Sequence, residues 1–273
     1  MSGPIDVFIV AGQSNAEGKG SSASSPVVPA GVAYEYTDAG TLVALADPVG
    51  GAVTGSAWPA FAIALHNLTD RPLCIVETAL SGSPLIAAND GFGAGNNWSP
   101  TGTLRSAAVT KADAALTHLS GAGWTPTLQG VLWHQGESDA QFGNGSPTLA
   151  ADYAAALSAL GTYFGTGLSL PDLPMFVHRI GENTAGSYPG YAVVRGAQDS
   201  VCASDARLHM VYTECVNFPG LGYMKGDGLH YNQSGLNAMG TGSAPNVYAL
   251  LPTDPPPVST ARNSILARRL LGL

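Results

Sequence analysis

Apolar positions along the chain fall into two alternating patterns. Short, nearly unbroken apolar runs occupy Val7-Phe8-Ile9-Val10-Ala11, Leu73-Cys74-Ile75-Val76, Gly130-Val131-Leu132-Trp133, Met175-Phe176-Val177-His178 and Leu208-His209-Met210-Val211-Tyr212. Rich in β-branched and aromatic residues and lacking a polar face, they predict strands buried on both sides of a sheet. Between them apolar residues recur at helical spacing, over about 58–68, 105–119, 148–164, 190–203 and 233–250. Within the third of these, Leu149, Tyr153, Ala156, Leu157, Leu160 and Phe164 share one stripe, as in a helix that buries one face. This strand–helix alternation predicts an α/β, doubly wound (flavodoxin-like) three-layer sandwich around a five-stranded, mainly parallel sheet.

Such sheets bind ligands beyond the carboxyl ends of their strands, so the polar residues after each apolar run carry the functional signal. Two connections, residues 12–57 and 79–104, are long and rich in Gly, Ser, Pro and Asn. Loops of that length in a compact domain are commonly shaped around a site. No internal repeat interrupts the pattern, and one domain is expected over residues 1–251. Residues 252–273 contain Pro255-Pro256-Pro257 and then Arg262, Arg268 and Arg269 among leucines. They read as a Pro-rich linker and a short C-terminal helix, either packed on the domain or free to dock elsewhere.

Composition supports this picture and narrows the partners. Of 273 residues, 45% are hydrophobic and 11% charged, with 35 Gly and 19 Pro, a balance suited to one compact domain with long ordered loops. Eleven Lys and Arg against 19 Asp and Glu give a net charge of −8. Without a basic run there is no footprint for nucleic acid and no polybasic patch for an anionic membrane. A neutral substrate is the easier expectation. Cys74 lies in an apolar run and reads as buried, while Cys202 and Cys215 could pair or stay free. The N-terminus shows no signal-peptide pattern, and no apolar stretch reaches the ~20 residues of a membrane span. Location is left open among cytoplasmic, virion-associated and secreted after signal removal, and oligomeric state is left open too.

Four polar segments follow the apolar runs. The first run ends in Gly12-Gln13-Ser14-Asn15. A serine there, beside a glycine that permits a tight turn, would stand at the sheet's carboxyl edge as a nucleophile, or simply cap a helix. The third run ends in His134-Gln135-Gly136-Glu137-Ser138-Asp139. Gln135 is suited to donate its amide to an oxyanion, and Glu137 to orient a neighbour or help hold a base. Ser138 and Asp139 read more simply as caps or loop formers. After the second run comes Ser81-Gly82-Ser83, either an ordinary turn or a glycine whose N–H approaches a reacting carbonyl. Last comes Asp227-Gly228-Leu229-His230. A carboxylate three residues before a histidine can bind its Nδ1–H and leave Nε2 free to take a serine proton. Of the other histidines, His66 and His118 lie on helical patterns, His178 and His209 within strands, and His134 could line a pocket. Trp58 and Trp98 could stack on a sugar ring or belong to the core.

In this order, each past a strand, the four segments resemble the SGNH hydrolase superfamily, and most of all its carbohydrate esterases, the acetylxylan esterases and sialate O-acetylesterases. The similarity runs over roughly residues 5–240, though only the short blocks are specific. It departs at Ala16, where the group usually has Met, and at Ser81-Gly82-Ser83, where it usually has Gly-Gly-Thr. The resemblance implies the SGNH hydrolase fold and removal of O-acetyl groups from a carbohydrate through an acetyl-enzyme, with no cofactor and no metal. It assigns Ser14, Asp227 and His230 as the catalytic set and the Ser14 and Gly82 N–H groups with the Gln135 side chain as the oxyanion hole. Gln13, Asn15, His134 and Glu137 are left as supporting or pocket residues. Competing readings are a catalytically silent glycan-binding module, a phage-tail-type polysaccharide deacetylase component, and an SGNH lipase or arylesterase.

Overall fold

The computed structural model describes residues 3–52 and 54–252. All five expected strands form: β1 (Pro4–Gly12), β4 (Leu73–Glu77), β5 (Thr125–His134), β6 (Met175–His178) and β7 (Leu208–Tyr212). Among the described residues the sheet nevertheless has seven strands rather than five: with β2 (Ala33–Tyr36) and β3 (Leu42–Ala44) added, the order is β3-β2-β4-β1-β5-β6-β7. The two additional strands lie inside the long connection after β1. They extend one edge of the sheet, where β2 runs parallel to β4 and β3 pairs antiparallel with β2. An edge strand covered on one side needs no continuous apolar run. The half-exposed edge strand Leu42-Val43-Ala44 lacks one, while β2, between β3 and β4, is interrupted by the buried Glu35, whose carboxylate accepts from the Gly50 N–H at 2.8 Å. The sheet is therefore mixed, parallel everywhere except at β3.

Helices form where the helical spacing placed them: α2 (Trp58–Thr69), α3 (Leu104–Gly121), α5 (Leu149–Gly167), α6 (Gly190–Ser204) and α7 (Gln233–Tyr248). Two short ones, α1 (Ser14–Glu17) and α4 (Glu137–Phe142), open directly after β1 and β5. Strand alternation divides β1 between two cores. Phe8 and Val10 pack with Trp58, Phe61, Leu65, Leu236 and Met239 of α2 and α7. Ile9 and Ala11 face Ala108, Tyr153, Leu157 and Val194 of α3, α5 and α6. Each of the Val, Leu, Ile, Phe and Met side chains among these contributes roughly 1.5–3 kcal/mol on full burial. A central strand gripped on both faces is the rigid base from which Ser14, two residues past its end, is presented.

Cys202 and Cys215 are unpaired, as is the buried Cys74. The linker and helix expected over 252–273 lie outside the described residues from position 253 onward.

Candidate active site

The end of β1 is crowded. Gly12 takes φ +140°, and a Cβ there would sit 2.1 Å from the His134 carbonyl oxygen, so only glycine lets the strands leave the sheet side by side. The Gln13 N–H still donates to the His134 carbonyl at 3.1 Å; then the chain turns into α1. Gln13, not Ser14, occupies the cap position, and no side chain caps this turn. The Ser14 hydroxyl instead lies 3.0 Å from His230 Nε2, across 216 residues of chain.

His230 comes from the turn before α7. That turn is pinned by the Lys225 N–H to the His230 carbonyl at 2.8 Å and the Thr184 N–H to the Gly228 carbonyl at 2.8 Å. Asn232 caps α7 by accepting from the Gly235 N–H at 3.1 Å, the role short polar side chains take at a helix start. His230 Nδ1 faces Asp227 Oδ2 at 2.8 Å. Asp227 Oδ1 accepts from the N–H groups of Leu229 and His230 at 3.0 and 2.9 Å. Burial pushes the Asp227 carboxyl up, but those two N–H groups and the imidazole outweigh it and hold the group at about 2. The serine, imidazole and carboxylate thus form one hydrogen-bonded line.

Gly82 adopts φ +75° and a Cβ there would press on Phe92 Cβ at 3.0 Å. Its carbonyl accepts from the Ser138 hydroxyl at 2.9 Å. No acceptor meets the Gly82 N–H among the described residues. Gln135 is placed differently from the expectation of an oxyanion donor. It is fully buried, and its Nε2 donates to Asp139 at 2.7 Å, Gln13 Oε1 at 3.1 Å and the Ser83 carbonyl at 3.3 Å. With both amide hydrogens engaged, it has none to offer a substrate. Gln13 is the amide at the cleft. Its Oε1 accepts from Gln135 and from the Ser138 N–H at 3.1 Å. Those bonds turn its Nε2 away from both donors, and that nitrogen meets no acceptor among the described residues.

The remaining motif residues hold the walls. Asp139 accepts from the Leu85 and Ile86 N–H groups and from Asn89, pinning the loop after β4. Glu137 accepts from Asn15 at 2.9 Å and faces His134 Nε2 at 3.3 Å. Of the other histidines, His178 is buried, with its pKa pushed down to about 3 by burial. His66 contacts the Arg71 carbonyl at 2.9 Å, away from Ser14. Trp58 and Trp98 are core residues, 0% and 1% exposed, whose indoles donate to the Ala16 and Gly12 carbonyls. The aromatic at the cleft mouth is Phe92, 40% exposed and edge-on to Phe142 at 4.6 Å. The sequence offered no signal for it: a single aromatic in a Gly- and Asn-rich loop has no period to read.

The cleft itself encloses about 240 Å3, and Gln13, Ser14, Gly82, Phe92, Leu229 and His230 line it. Larger hollows of about 450 and 530 Å3 lie elsewhere, but neither holds a serine–histidine pair. Among the described residues no group of three or more His, Cys, Asp or Glu side chains is placed to hold a metal ion. The family described as carbohydrate esterase, sialic acid-specific acetylesterase, matches residues 4–248. The chain belongs to that family. It is accordingly a carboxylic ester hydrolase of the carbohydrate esterase kind, with acetylated carbohydrate as the implied substrate class. The resemblance to carbohydrate esterases of the sialate O-acetylesterase kind drawn from the four blocks is borne out.

Solved structures similar in fold include a protein from Arabidopsis thaliana, with TM-score 0.69 and 20% identity, covering 90% of this chain and 99% of that one. NanS matches with TM-score 0.65 and 16% identity over 90% and 97% of the two chains. A carbohydrate acetylesterase from Xanthomonas citri, XAC1771, matches with TM-score 0.55 and 18% identity, over 89% of this chain and 56% of its own. No curated protein matches this chain significantly.

Proposed function

We propose that the protein removes O-acetyl groups from a carbohydrate, with Ser14 as nucleophile, His230 as general base and acid, and Asp227 as the group that orients His230. What carries this reading is the unbroken line from Ser14 Oγ to His230 Nε2 at 3.0 Å and from His230 Nδ1 to Asp227 at 2.8 Å. With Asp227 ionised, Nδ1 keeps its proton and Nε2 presents a lone pair to the hydroxyl.

His230 Nε2 takes the Ser14 proton as Oγ attacks the acetyl carbonyl, whose π electrons move onto oxygen. The oxyanion is held by the N–H groups of Ser14 and Gly82 and by the Gln13 amide, with Gln135 anchoring Gln13 from behind. Collapse breaks the bond to the sugar oxygen, which leaves with the proton from Nε2, and Ser14 carries the acetyl group. A water molecule then gives its proton to Nε2 and attacks the acetyl carbon. Collapse breaks the bond to Ser14 Oγ, which takes the proton back from Nε2, and acetic acid departs and ionises in water.

A cleft of about 240 Å3 falls below the ~300–1,000 Å3 of sites that enclose drug-sized ligands. It suits a small acyl group, while the sugar remains at the mouth beside Phe92. The test is aryl acetate hydrolysis by wild type and Ser14→Ala. Activity confined to wild type supports the reading; equal rates end it.

A further inference from the structure

Asn15, Glu137 and His134 take no part in the chemistry just described, yet all three are at most 2% exposed. Asn15 follows the nucleophile, but its side chain turns into the body of the protein. Its Oδ1 accepts from the Tyr231 N–H at 3.0 Å, and its Nδ2 approaches the Leu229 carbonyl at 3.4 Å. Those two peptide groups bracket His230. The same Nδ2 donates to Glu137 Oε1 at 2.9 Å. The amide can face only one way, because the Tyr231 N–H can only donate and the Leu229 carbonyl can only accept.

Glu137 has a second neighbour at the same oxygen. His134 Nε2 faces the same Oε1 at 3.3 Å, and His134 Nδ1 lies 3.0 Å from the His178 carbonyl. Burial pushes the Glu137 carboxyl up, but the facing His134 imidazole and the Asn15 amide outweigh it and leave the group below its ordinary value. The carboxylate therefore stays an acceptor at neutral pH.

The task this solves is geometric. Ser14 and His230 belong to segments 216 residues apart, and His230 rides on a turn whose side chain is 23% exposed. A misplacement of ~1 Å between reacting groups can cost about 10²-fold in rate. Asp227 sets the rotation and tautomer of the ring but belongs to the same turn, so it cannot fix where that turn sits relative to Ser14. Asn15 can, since it is bonded covalently to Ser14.

We infer that Asn15 and Glu137 are positioning residues: Glu137 aims the Asn15 amide, and Asn15 holds the peptide groups on both sides of His230 so that Nε2 meets Ser14 Oγ. The inference rests on the Ser14–His230 assignment above.

The experiment is steady-state kinetics on a small acetate ester for Asn15→Ala, Glu137→Leu, Glu137→Gln and the Asn15→Ala/Glu137→Leu double variant, with thermal midpoints measured alongside. Asn15→Ala and Glu137→Leu should each lower kcat by about 10–100-fold while KM stays within about twofold. Glu137→Gln, which keeps an acceptor oxygen, should recover most of the loss. The double variant should be no slower than the worse single, because residues acting through one chain of contacts are not additive. A merely structural role would lower the midpoint and leave kcat of the folded fraction unchanged. Wild-type kcat in folded Asn15→Ala overturns the inference, and so does multiplication of the single losses in the double variant. If Glu137→Leu does not fold, Asn15→Ala against Glu137→Gln decides: a loss in the first and recovery in the second supports the device, and no loss in the first overturns it. Failure of the underlying assignment shows separately, as Ser14→Ala retaining wild-type activity.

Discussion

Replacing Asp227 by asparagine isolates what the carboxylate does for His230. Asparagine Oδ1 can still accept from the Leu229 and His230 N–H groups, now at 3.0 and 2.9 Å, so the turn keeps its backbone bonds. The amide nitrogen then faces Nδ1. Two donors cannot share that contact, so the ring is driven to the tautomer with its proton on Nε2, which cannot take the Ser14 proton. Loss of the charge-assisted bond to the imidazolium costs about 1.5–3 kcal/mol, roughly 10–150-fold in rate. The tautomer mismatch adds to this. Enclosed triads lose roughly 10⁴-fold in kcat on the same change, but here the Asp227 side chain is 45% exposed and water can partly replace it. The expected loss is about 10²–10³-fold in kcat, with KM little changed. The assay is aryl acetate hydrolysis at saturating substrate, with the thermal midpoint as a check on folding. A folded variant with more than about a third of wild-type kcat would refute the orienting role. There is a linked effect of pH on stability. Because Asp227 sits at about 2 rather than its ordinary 3.8, its stabilisation is present above 3.8 and is lost as pH falls through 2. Any gap between the midpoints of wild type and variant should close in that acid range.

Three further outcomes are expected. Gln13→Ala should lower kcat by about 10²–10³-fold, the cost of one oxyanion donor; an unchanged kcat would remove Gln13 from the oxyanion hole. Phe92→Ala should raise KM for an acetylated oligosaccharide and leave a non-aromatic ester such as triacetin unaffected, since only the sugar reaches the exposed ring; equal effects on both would refute this. Burial raises the Glu77 carboxyl from 4.5 to about 8, so its folded form holds a proton that the unfolded chain gives up. That stabilisation is complete below 4.5 and lost as pH rises through 8. Glu77→Gln should flatten the fall in thermal midpoint across that window, and an unchanged slope would show that Glu77 does not titrate there.

How much could be read from residues alone follows from what each signal depends on. β1, β4, β5 and β6 were legible because strands buried on both faces must be apolar over their buried stretch, and the half-buried edge strand β7 because it is still a short run of large apolar residues. β2 and the edge strand β3 were not, because the buried Glu35 and the exposed Val43 break the run. Ser14, Asp227 and His230 could be singled out because catalysis by proton transfer demands particular residue types at strand ends and on tight turns. Direction was harder. Gln13 and Gln135 are the same residue type, each just past a strand, and which amide faces the cleft depends on bonds made by Asp139, Ser83 and Ser138. Only folding brings those groups together. Trp58 and Trp98 had two open readings for the same reason, since a large aromatic fits a core as well as a sugar platform.

Everything proposed for this site depends on Ser14 being a nucleophile activated by His230. A small alkyl fluorophosphonate, followed by intact mass and peptide mapping, tests it directly. One phosphonyl adduct is expected, carried by the peptide containing Ser14, absent in Ser14→Ala and formed far more slowly in His230→Ala. An adduct on another residue, or labelling of Ser14→Ala at the wild-type rate, would contradict it.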